Sequence, residues 1–316
     1  MDSTLLSLAQ QIGLTALDVG ARGGVNADLG PLAPATHYVG FEPDPEECAR
    51  LSQTGIGGGW KHVKFVPVAL ADAPGEFSLN LYSKRGCSSK YTARQDLGKL
   101  FARGDFYNLD AVVKVPCQRL DDVLASESIA EPAFMKIDVQ SMEVEVFDGA
   151  VRTLQEDLVG IRTEVSFFPM YKDQPLFAEI DQRLRKDGFV PMRWLESHEW
   201  RRATKKKPYS MADGALPFSR GQLMHADVLY LQHPETLATD SARALRRLVR
   251  LGLVAACYQH YDHAQAAFSR PEVRSYCKET LKVDAERAVE RMSQGEASLG
   301  RRLGWRLMRA LQNRFA

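Results

Sequence analysis

The 316-residue sequence has little of what marks secreted, zinc-binding or membrane-spanning proteins. Its five cysteines are odd in number and widely scattered, without a C-x-x-C pair, which argues against a disulfide framework or a zinc site and for reduced thiols. It contains no run of about 18 apolar residues, and its first residues include an acid instead of the basic segment that begins a secretory signal. We therefore expect a cytoplasmic protein.

The chain also lacks an overall excess of charge, since its formal net charge is +1, and this balance predicts no nucleic-acid partner. The charge is nevertheless unevenly distributed. Residues 1–234 carry 26 Lys and Arg against 31 Asp and Glu, whereas residues 235–316 carry 15 against 9. The C-terminal part therefore presents a different kind of surface from the rest of the chain.

A glycine-rich turn follows the first apolar segment, and residues 15–25 read T-A-L-D-V-G-A-R-G-G-V. Glycines tolerate positive φ and let backbone N–H groups approach a ligand closely. Asp18 stands at the carboxyl end of this segment, where open α/β sheets bind their ligands. The pattern indicates a strand that runs into a binding loop.

A second apolar segment, residues 37–42, ends in Glu42, 24 residues after Asp18. In nucleotide-binding folds, an acid about 20 residues beyond the glycine turn accepts the ribose hydroxyls. The alternative is that Glu42 caps the helix that begins near Asp44. The spacing favours the ribose role.

Strand patterns alternate with helical patterns along the chain, which predicts a doubly wound, seven-stranded, mostly parallel sheet with an antiparallel edge. The predicted strands are 15–20, 37–42, 62–70, 133–138, 159–165, 189–195 and 225–231.

Two segments interrupt this alternation. An antiparallel pair, 75–82 with 112–117, encloses the polar stretch 83–110, and long segments of this kind are often lids or binding loops. A basic stretch, 196–221, separates the last two strands and is interpreted as a solvated loop.

Four acids each follow a predicted strand, and the carboxyl ends of parallel strands meet at one edge of a sheet. We therefore expect a polar cleft there, lined by Asp18, Glu42, Asp138 and Glu164.

The C-terminal residues are mostly helical in pattern, and they divide the chain into a main domain, 1–233, and a basic helical extension, 234–316. The segment 301–311 has arginines on one side and Trp, Leu and Met on the other. Such a helix can lie at a membrane interface, pack on a partner subunit or pack on its own domain. Packing or dimerisation is favoured because the cationic stripe is short.

Several motifs occur in the order and at the spacing of one enzyme family: D-V-G-A-R-G-G, F-E-P-D-P, V-A-L-A-D-A-P-G, C-S-S, K-I-D-V-Q-S-M-E-V-E-V-F-D-G-A and E-V-S-F. Over roughly residues 14–231 the chain resembles FkbM-type methyltransferases. The resemblance implies a Rossmann-like class I fold that uses S-adenosylmethionine for O-methyl transfer, often onto sugars or other hydroxylated natural products.

Two positions depart from the family pattern. Arg22 replaces the usual Asn in the glycine turn, and Gln140-Ser141 replaces the usual Glu-Gly or Gln-Gly. Arg22 could crowd the cofactor or pair with its carboxylate. Ser141 is a small replacement that the turn should accept.

A cofactor site follows from the turn and the strand ends. The Gly20–Gly24 backbone would hold the methionine portion of S-adenosylmethionine, with Asp18 near its ammonium group and Glu42 on the ribose. NAD is disfavoured because the glycines are out of register with G-x-G-x-x-G. The predicted cofactor-binding residues are Asp18, Gly20, Ala21, Arg22, Gly24, Glu42, Ala69, Leu70, Ser88 and Asp138.

Methyl transfer to an alcohol needs help in removing a proton. The predicted catalytic residues are Asp138, Glu143 and Glu164, one of which would act as base; alternatively, Asp138 and Glu164 would hold a divalent cation such as Mg²⁺. Glu143 could instead be a favourable charge at a helix N-terminus. Glu164 could instead pair with Lys136 or Arg162.

His225, with Asp227 two residues on, could face the cleft, but a lone histidine in an edge strand is more often a hydrogen-bonded bystander. The sequence predicts an O-methyltransferase that acts on a hydroxyl of a sugar, glycan or related natural product. The alternative is a non-catalytic cofactor-binding scaffold whose helical tail recruits partners. Arg22 keeps that alternative open, and the four strand-end acids argue against it.

Overall fold

The computed structural model describes residues 1–54, 59–101, 103–202 and 219–297. The strands are β1 Leu14–Val19, β2 Thr36–Phe41, β3 His62–Val66, β4 Ala69–Leu70, β5 Gly75–Tyr82, β6 Leu109–Gln118, β7 Phe134–Ile137, β8 Gly160–Ser166, β9 Phe189–Trp200 and β10 Gln222–Gln232. The helices are α1 Ser3–Ile12, α2 Pro45–Thr54, α3 Gln95–Leu100, α4 Leu120–Ser126, α5 Glu143–Asp148, α6 Val151–Glu156, α7 Phe177–Lys186, α8 Ala242–Cys257, α9 Tyr261–Ser269, α10 Pro271–Ser275 and α11 Ala285–Glu296.

The main sheet has seven strands in the order β3-β2-β1-β7-β8-β10-β9. The first five are parallel, and β10 is antiparallel to both of its neighbours. The chain builds the sheet outward from β1 in one direction and then from β7 in the other, so the strand order reverses between β1 and β7. The carboxyl ends on either side of such a reversal flank the ligand crevice of an open α/β sheet. The predicted doubly wound, mostly parallel sheet is confirmed.

The predicted third strand, 62–70, is wrong in its extent. β3 ends at Val66, and Ala69–Leu70 pair with Cys117–Gln118 of β6. Pro67 lies at the break, and a proline has no N–H to continue a ladder. Ala69 and Leu70 thus belong to a second, three-stranded sheet in the order β4-β6-β5, which contains the predicted antiparallel pair.

The interpretation of 196–221 as a loop is wrong at its start. β9 continues to Trp200, and His198 lies opposite His225 of β10. The hydrogen bonds of this pairing join residues far apart in sequence, so the local pattern does not reveal them. Residues 203–218 of that segment lie outside the described residues.

Both faces of the sheet are covered. Alternate side chains of β1 point to opposite faces, so that Leu14 packs with the core on one face and Leu17 with the core on the other. The first face is covered by α1, α8, α9 and α11, and the second by α4 to α7. The C-terminal helices therefore complete the core of the sheet.

Arginines of α8 fix this helix to the rest of the protein. Arg243 pairs with Asp157 at 2.6 Å, and Arg246 and Arg250 both pair with Glu131 at 2.7 Å. The described part of the C-terminal extension, to residue 297, packs on the main domain. The segment 301–311 lies outside the described residues, so its contacts with a membrane or a second subunit stay predictions, as does the division at residue 233.

The helices formed by the described residues are all too short or too polar to cross a membrane.

Candidate functional site

The glycine turn after β1 is held rigidly against the neighbouring strands. Gly20 has φ +82°, and a Cβ at this position would lie 2.1 Å from the carbonyl oxygen of Asp138. The N–H groups of Gly20 and Ala21 both donate to the carbonyl oxygen of Phe41 at 3.1 Å, and that of Gly24 donates to Ala21. Gly20 is therefore required by both its backbone conformation and the close approach of the next strand.

Asp18 lies beneath this turn and is buried. It accepts a hydrogen bond from the hydroxyl of Tyr38, and one of its oxygens lies 3.2 Å from Nζ of Lys136. Lys136 also donates to the carbonyl oxygen of Gly20 at 3.3 Å. Burial raises the pKa of Asp18, although Lys136 and Tyr38 oppose this rise. Lys136 thus provides an ammonium partner for Asp18 within the protein.

The sequence pattern does not identify Lys136 or Tyr38 as partners of Asp18. Lys136 lies opposite Asp18 in the register of β1 and β7. Tyr38 belongs to β2, on the other side of β1. Only the adjacency of these three strands brings the side chains together.

Glu42 follows β2 and is buried, as expected of a strand-end acid. Its Oε1 accepts from the N–H of Asp44 at 3.0 Å. The carboxylate that accepts from the first N–H groups of α2 is Asp44, which bonds Glu46 and Glu47. Asp44 therefore caps α2, and the suggested capping role of Glu42 is wrong.

Arg22 reaches across the glycine turn to Glu42 and Asp44. Its guanidinium lies 3.9 Å from Oε1 of Glu42 and 3.6 Å from Oδ2 of Asp44. About half of the Arg22 side chain is exposed, so this pair is worth little to stability. Burial raises the pKa of Glu42, and the charge of Arg22 opposes that rise.

The remaining predicted cofactor residues lie near the turn after β7. Ala69 and Leu70 are buried, and Ala69 packs in a small core with Met142. Ser88 accepts from the N–H of Tyr82 at 3.3 Å. The contact to the turn is made by the next residue, since the hydroxyl of Ser89 donates to the carbonyl oxygen of Gln140 at 2.6 Å. The sequence resemblance included C-S-S but did not single out this role of Ser89.

The turn after β7 carries Asp138, whose Oδ1 accepts from the side-chain amide of Gln140 at 2.8 Å. Gln140 and Ser141 have φ of +54° and +84°. This left-handed backbone favours glycine, which is the family's usual residue at the position of Ser141. Ser141 therefore adopts a strained conformation in order to keep the turn.

Glu143 begins α5 and is buried. Its Oε1 accepts from the N–H of Val139 at 3.1 Å. Burial, together with the charges of Asp138 and Glu164, raises the pKa of Glu143 to about 8. Its carboxyl group is therefore protonated at neutral pH, which weakens the alternative that it serves as a negative charge at a helix N-terminus.

Glu164 lies beside His225, for which the sequence pattern favours no functional role. Nδ1 of His225 lies 2.8 Å from Oε1 of Glu164. The suggested ion pairs of Glu164 with Lys136 or Arg162 are wrong, since Lys136 pairs with Asp18 and Arg162 pairs with Asp28.

A cavity of about 320 Å³ opens beside Gln140 and Ser141. It lies between the turn after β7, the ends of β8, β9 and β10 and the predicted binding stretch 83–110. Its lining combines aromatic rings with charged and polar groups: Lys84, Arg103, Phe106, Tyr107, Glu164, Phe168, Tyr171, His198, Trp200 and His225.

In residues 1–54, 59–101, 103–202 and 219–297, no group of three or more His, Cys, Asp and Glu side chains is gathered in a way that could hold a metal ion. A cation held by Asp138 and Glu164 stays a prediction.

The fold and the site together define a class of enzyme. A sheet of this strand order, with a glycine turn after β1 and a buried acid after β2, is that of the Rossmann-like methyltransferases. The sequence profile of the Methyltransferase FkbM domain family matches residues 18–191, more than half of the chain. The chain belongs to this family, and it is a methyltransferase of the S-adenosylmethionine-dependent class.

Several solved structures are similar to this chain at a low level. Methyltransferase FkbM from Methylobacillus flagellatus KT is 11% identical over 70% of this chain and 44% of its own, with a TM-score of 0.34. This chain thus spans less than half the length of that relative. Precorrin-6y C5,15-methyltransferase from Geobacter metallireducens GS-15 is 12% identical over 73% of this chain and 87% of its own, with a TM-score of 0.36.

Magnesium protoporphyrin IX methyltransferase from Synechocystis PCC 6803, solved with bound S-adenosylmethionine, is 12% identical over 73% of this chain and 78% of its own, with a TM-score of 0.32. A comparison with curated proteins finds no match.

Proposed function

We propose that the protein transfers a methyl group from S-adenosylmethionine to a hydroxyl of a sugar, glycan or related hydroxylated natural product. The observation that supports this acceptor class is the cavity beside the Asp138 turn. Its aromatic rings offer flat apolar surfaces, and its carboxylate and imidazole groups offer hydrogen bonds. A sugar ring has apolar C–H faces, which can pack on the aromatic rings, and hydroxyl groups at its edge, which can hydrogen-bond to the carboxylate and imidazole groups.

The residues on the side of the Asp138 turn opposite the cavity fit the cofactor. Gly20 packs against the carbonyl of Asp138, whereas a Cβ at Gly23 or Gly24 would meet nothing within 4 Å, so the backbone of these two glycines is open to a ligand. Glu42 is a buried carboxylate at the end of β2, where a ribose would be held. When bound, S-adenosylmethionine supplies the electrophilic methyl group. This chain's residues bind it, orient the acceptor hydroxyl and remove its proton.

Asp138 and Glu164 are proposed to line the acceptor side, and Glu143, the third predicted catalytic residue, is proposed to support them. Glu164 lines the cavity itself, and Asp138 lies in the turn that borders it. Glu143 lies behind that turn and holds it through the N–H of Val139. A divalent cation on Asp138 and Glu164 is the alternative way to activate the hydroxyl, and turnover that stops with a chelator and returns with Mg²⁺ would support it.

The first test is calorimetric titration of the protein with S-adenosylmethionine, S-adenosylhomocysteine and NAD. We expect micromolar binding of the first two and none of NAD. Glu42→Ala should abolish binding because it removes the acceptor of the ribose hydroxyls. Glu46→Ala, an exposed acid four residues on, is the matched control and should bind as the wild type does.

The second test supplies acceptors. Methyl α-D-glucopyranoside, methyl α-D-mannopyranoside and methyl α-L-rhamnopyranoside are incubated with the protein and S-adenosylmethionine, and methylated products are measured by mass spectrometry. An O-methyl glycoside supports the proposal. Cofactor binding with methylation of none of the three would refute the sugar assignment.

Arg22 supports the second candidate, a cofactor-binding scaffold without turnover, because its guanidinium lies beside the carboxylate that a ribose would need. Arg22→Asn restores the residue usual in the family. Binding of the cofactor without turnover on any acceptor would favour the scaffold. Absence of binding in the wild type and its recovery in Arg22→Asn would mean that Arg22 closes the site, and a non-catalytic protein would then be the better assignment.

A further inference from the structure

We propose that His225 accepts the proton of the acceptor hydroxyl during methyl transfer, and that Glu164 and His198 position its ring. The inference rests on the proposed O-methyl transfer and deepens it, since neither histidine belongs to the catalytic set that the sequence indicates.

Strand pairing places these side chains on one face of the sheet. Asp227 of β10 lies directly opposite Glu164 of β8, and His225 is two residues away from Asp227 on the same strand. His198 of β9 lies directly opposite His225. Side chains that face each other across a strand pair, or are offset by two residues, are neighbours on the same face.

The ring of His225 is held from two sides. Nδ1 lies 2.8 Å from Oε1 of Glu164, in ion-pair contact. The ring of His198 stacks on it, with centroids 4.3 Å apart and planes inclined by 17°. Trp200 meets it edge-on at 6.2 Å. The orientation of the imidazole is therefore fixed by β8 and β9 together.

This orientation assigns roles to the two ring nitrogens. The proposed step needs the tautomer with its proton on Nδ1, the nitrogen that lies beside Glu164, and its lone pair on Nε2. His225 lines the 320 Å³ cavity, so Nε2 is available to a hydroxyl bound there. A second group that orients a base in this way is the usual arrangement for activating an oxygen nucleophile.

The proton step balances within the site. The O–H bond of the acceptor breaks and its proton forms an N–H bond on Nε2, which converts the imidazole to an imidazolium paired with Glu164. The electron pair left on oxygen forms the new bond to the methyl carbon, and the pair of the breaking carbon–sulfur bond stays on sulfur. The positive charge thus passes from the cofactor to His225, where a carboxylate offsets it.

Charged groups on several elements face the ring. The carboxylates that act on the His225 ring belong to three elements. They are Glu164 of β8, Asp227 of β10 and Asp138 of the turn after β7. Burial acts to lower the pKa of His225, but the contact with Glu164 and the charges of these carboxylates outweigh it and raise the pKa above the ordinary value of 6.5.

Seven further charged or titratable groups line the same cavity: Lys84, Cys87, Arg103, Tyr107, Tyr171, His198 and Glu199.

The kinetic test uses the full chain, S-adenosylmethionine and whichever of the three methyl glycosides the wild type methylates. His225→Gln should lower kcat by about 100- to 10,000-fold, the range for loss of a general base, with little change in KM. His233→Gln is the matched control, because His233 is exposed and also pairs with a glutamate, Glu235 at 3.2 Å. Added imidazole should partly restore His225→Ala. An unchanged kcat in His225→Gln would overturn the proposal.

The second test separates a catalytic role from a structural one. In Glu164→Ala the ring of His225 loses the carboxylate beside Nδ1, so kcat should fall with little change in KM. The tautomer of His225, read from the ¹⁵N chemical shifts of its ring in the protein without acceptor, should change as well.

If the wild type methylates none of the glycosides, the sugar assignment fails and the NMR measurement still decides about His225. A tautomer of His225 that does not change in Glu164→Ala would show that Glu164 does not position the ring, and it would overturn this inference independently of the acceptor.

Discussion

Replacing Glu143 by glutamine should stabilise the protein at neutral and mildly alkaline pH. Glu143 is buried at the start of α5, with one oxygen on the N–H of Val139. Glutamine has the same shape, and its carbonyl oxygen can accept the same hydrogen bond. The substitution therefore removes only the ability of the side chain to ionise.

The magnitude follows from the pKa of Glu143 in the folded protein. The folded pKa is about 8 and the ordinary value is 4.5, so between these values the unfolded chain has lost a proton that the folded chain keeps. The free energy of unfolding then falls as the pH rises. At about 1.36 kcal/mol per pH unit, the wild type loses about 5 kcal/mol relative to Glu143→Gln between pH 4.5 and 8.

The assay is urea unfolding of both proteins at pH 5, 6, 7 and 8, followed by circular dichroism. The two should be nearly equal in stability at pH 5, and the variant should gain by about 1.4 kcal/mol for each further pH unit. Glu46→Gln, at an exposed position in α2, is the control for a loss of charge at the surface. A difference that stays constant with pH, or a wild type that is the more stable at pH 8, would refute the reasoning.

Two further predictions concern the backbone and the tail. Ser141→Gly should stabilise the protein by about 1 kcal/mol, because φ of +84° strains a serine and suits a glycine, and a lower urea midpoint in the variant would contradict this. Arg247→Met should destabilise it by about 3 kcal/mol, because the half-buried guanidinium donates to the carbonyl oxygens of Leu154, Gln155 and Leu158 and methionine leaves them unpaired. An unchanged thermal midpoint in Arg247→Met would mean that α8 is held without this contact.

Much of the cofactor side of the site could be predicted from sequence because its signals are local. The glycine turn and the acid after each strand are short patterns, and the requirement for Gly20 comes from a backbone that must take a positive φ. The strand alternation was sufficient to predict a doubly wound sheet. It was insufficient at Pro67, where β3 ends and Ala69–Leu70 join the second sheet.

The acceptor side could not be predicted in the same way. A histidine in β10 has no local sign of function, and the contact with Glu164 depends on β10 lying antiparallel beside β8. The length of β9 matters equally, because only its extension to Trp200 stacks His198 on His225.

The sequence by itself thus determined the family, the strand–helix alternation and the acids that end four strands, since each of these is encoded in a few adjacent residues. Tertiary structure alone decided which partners those acids have. Asp18 meets Lys136, Glu42 lies beside Arg22, and Glu164 meets His225. The physical reason is that charge pairing and burial depend on distances across neighbouring strands, and strand order is set by the packing of the whole sheet.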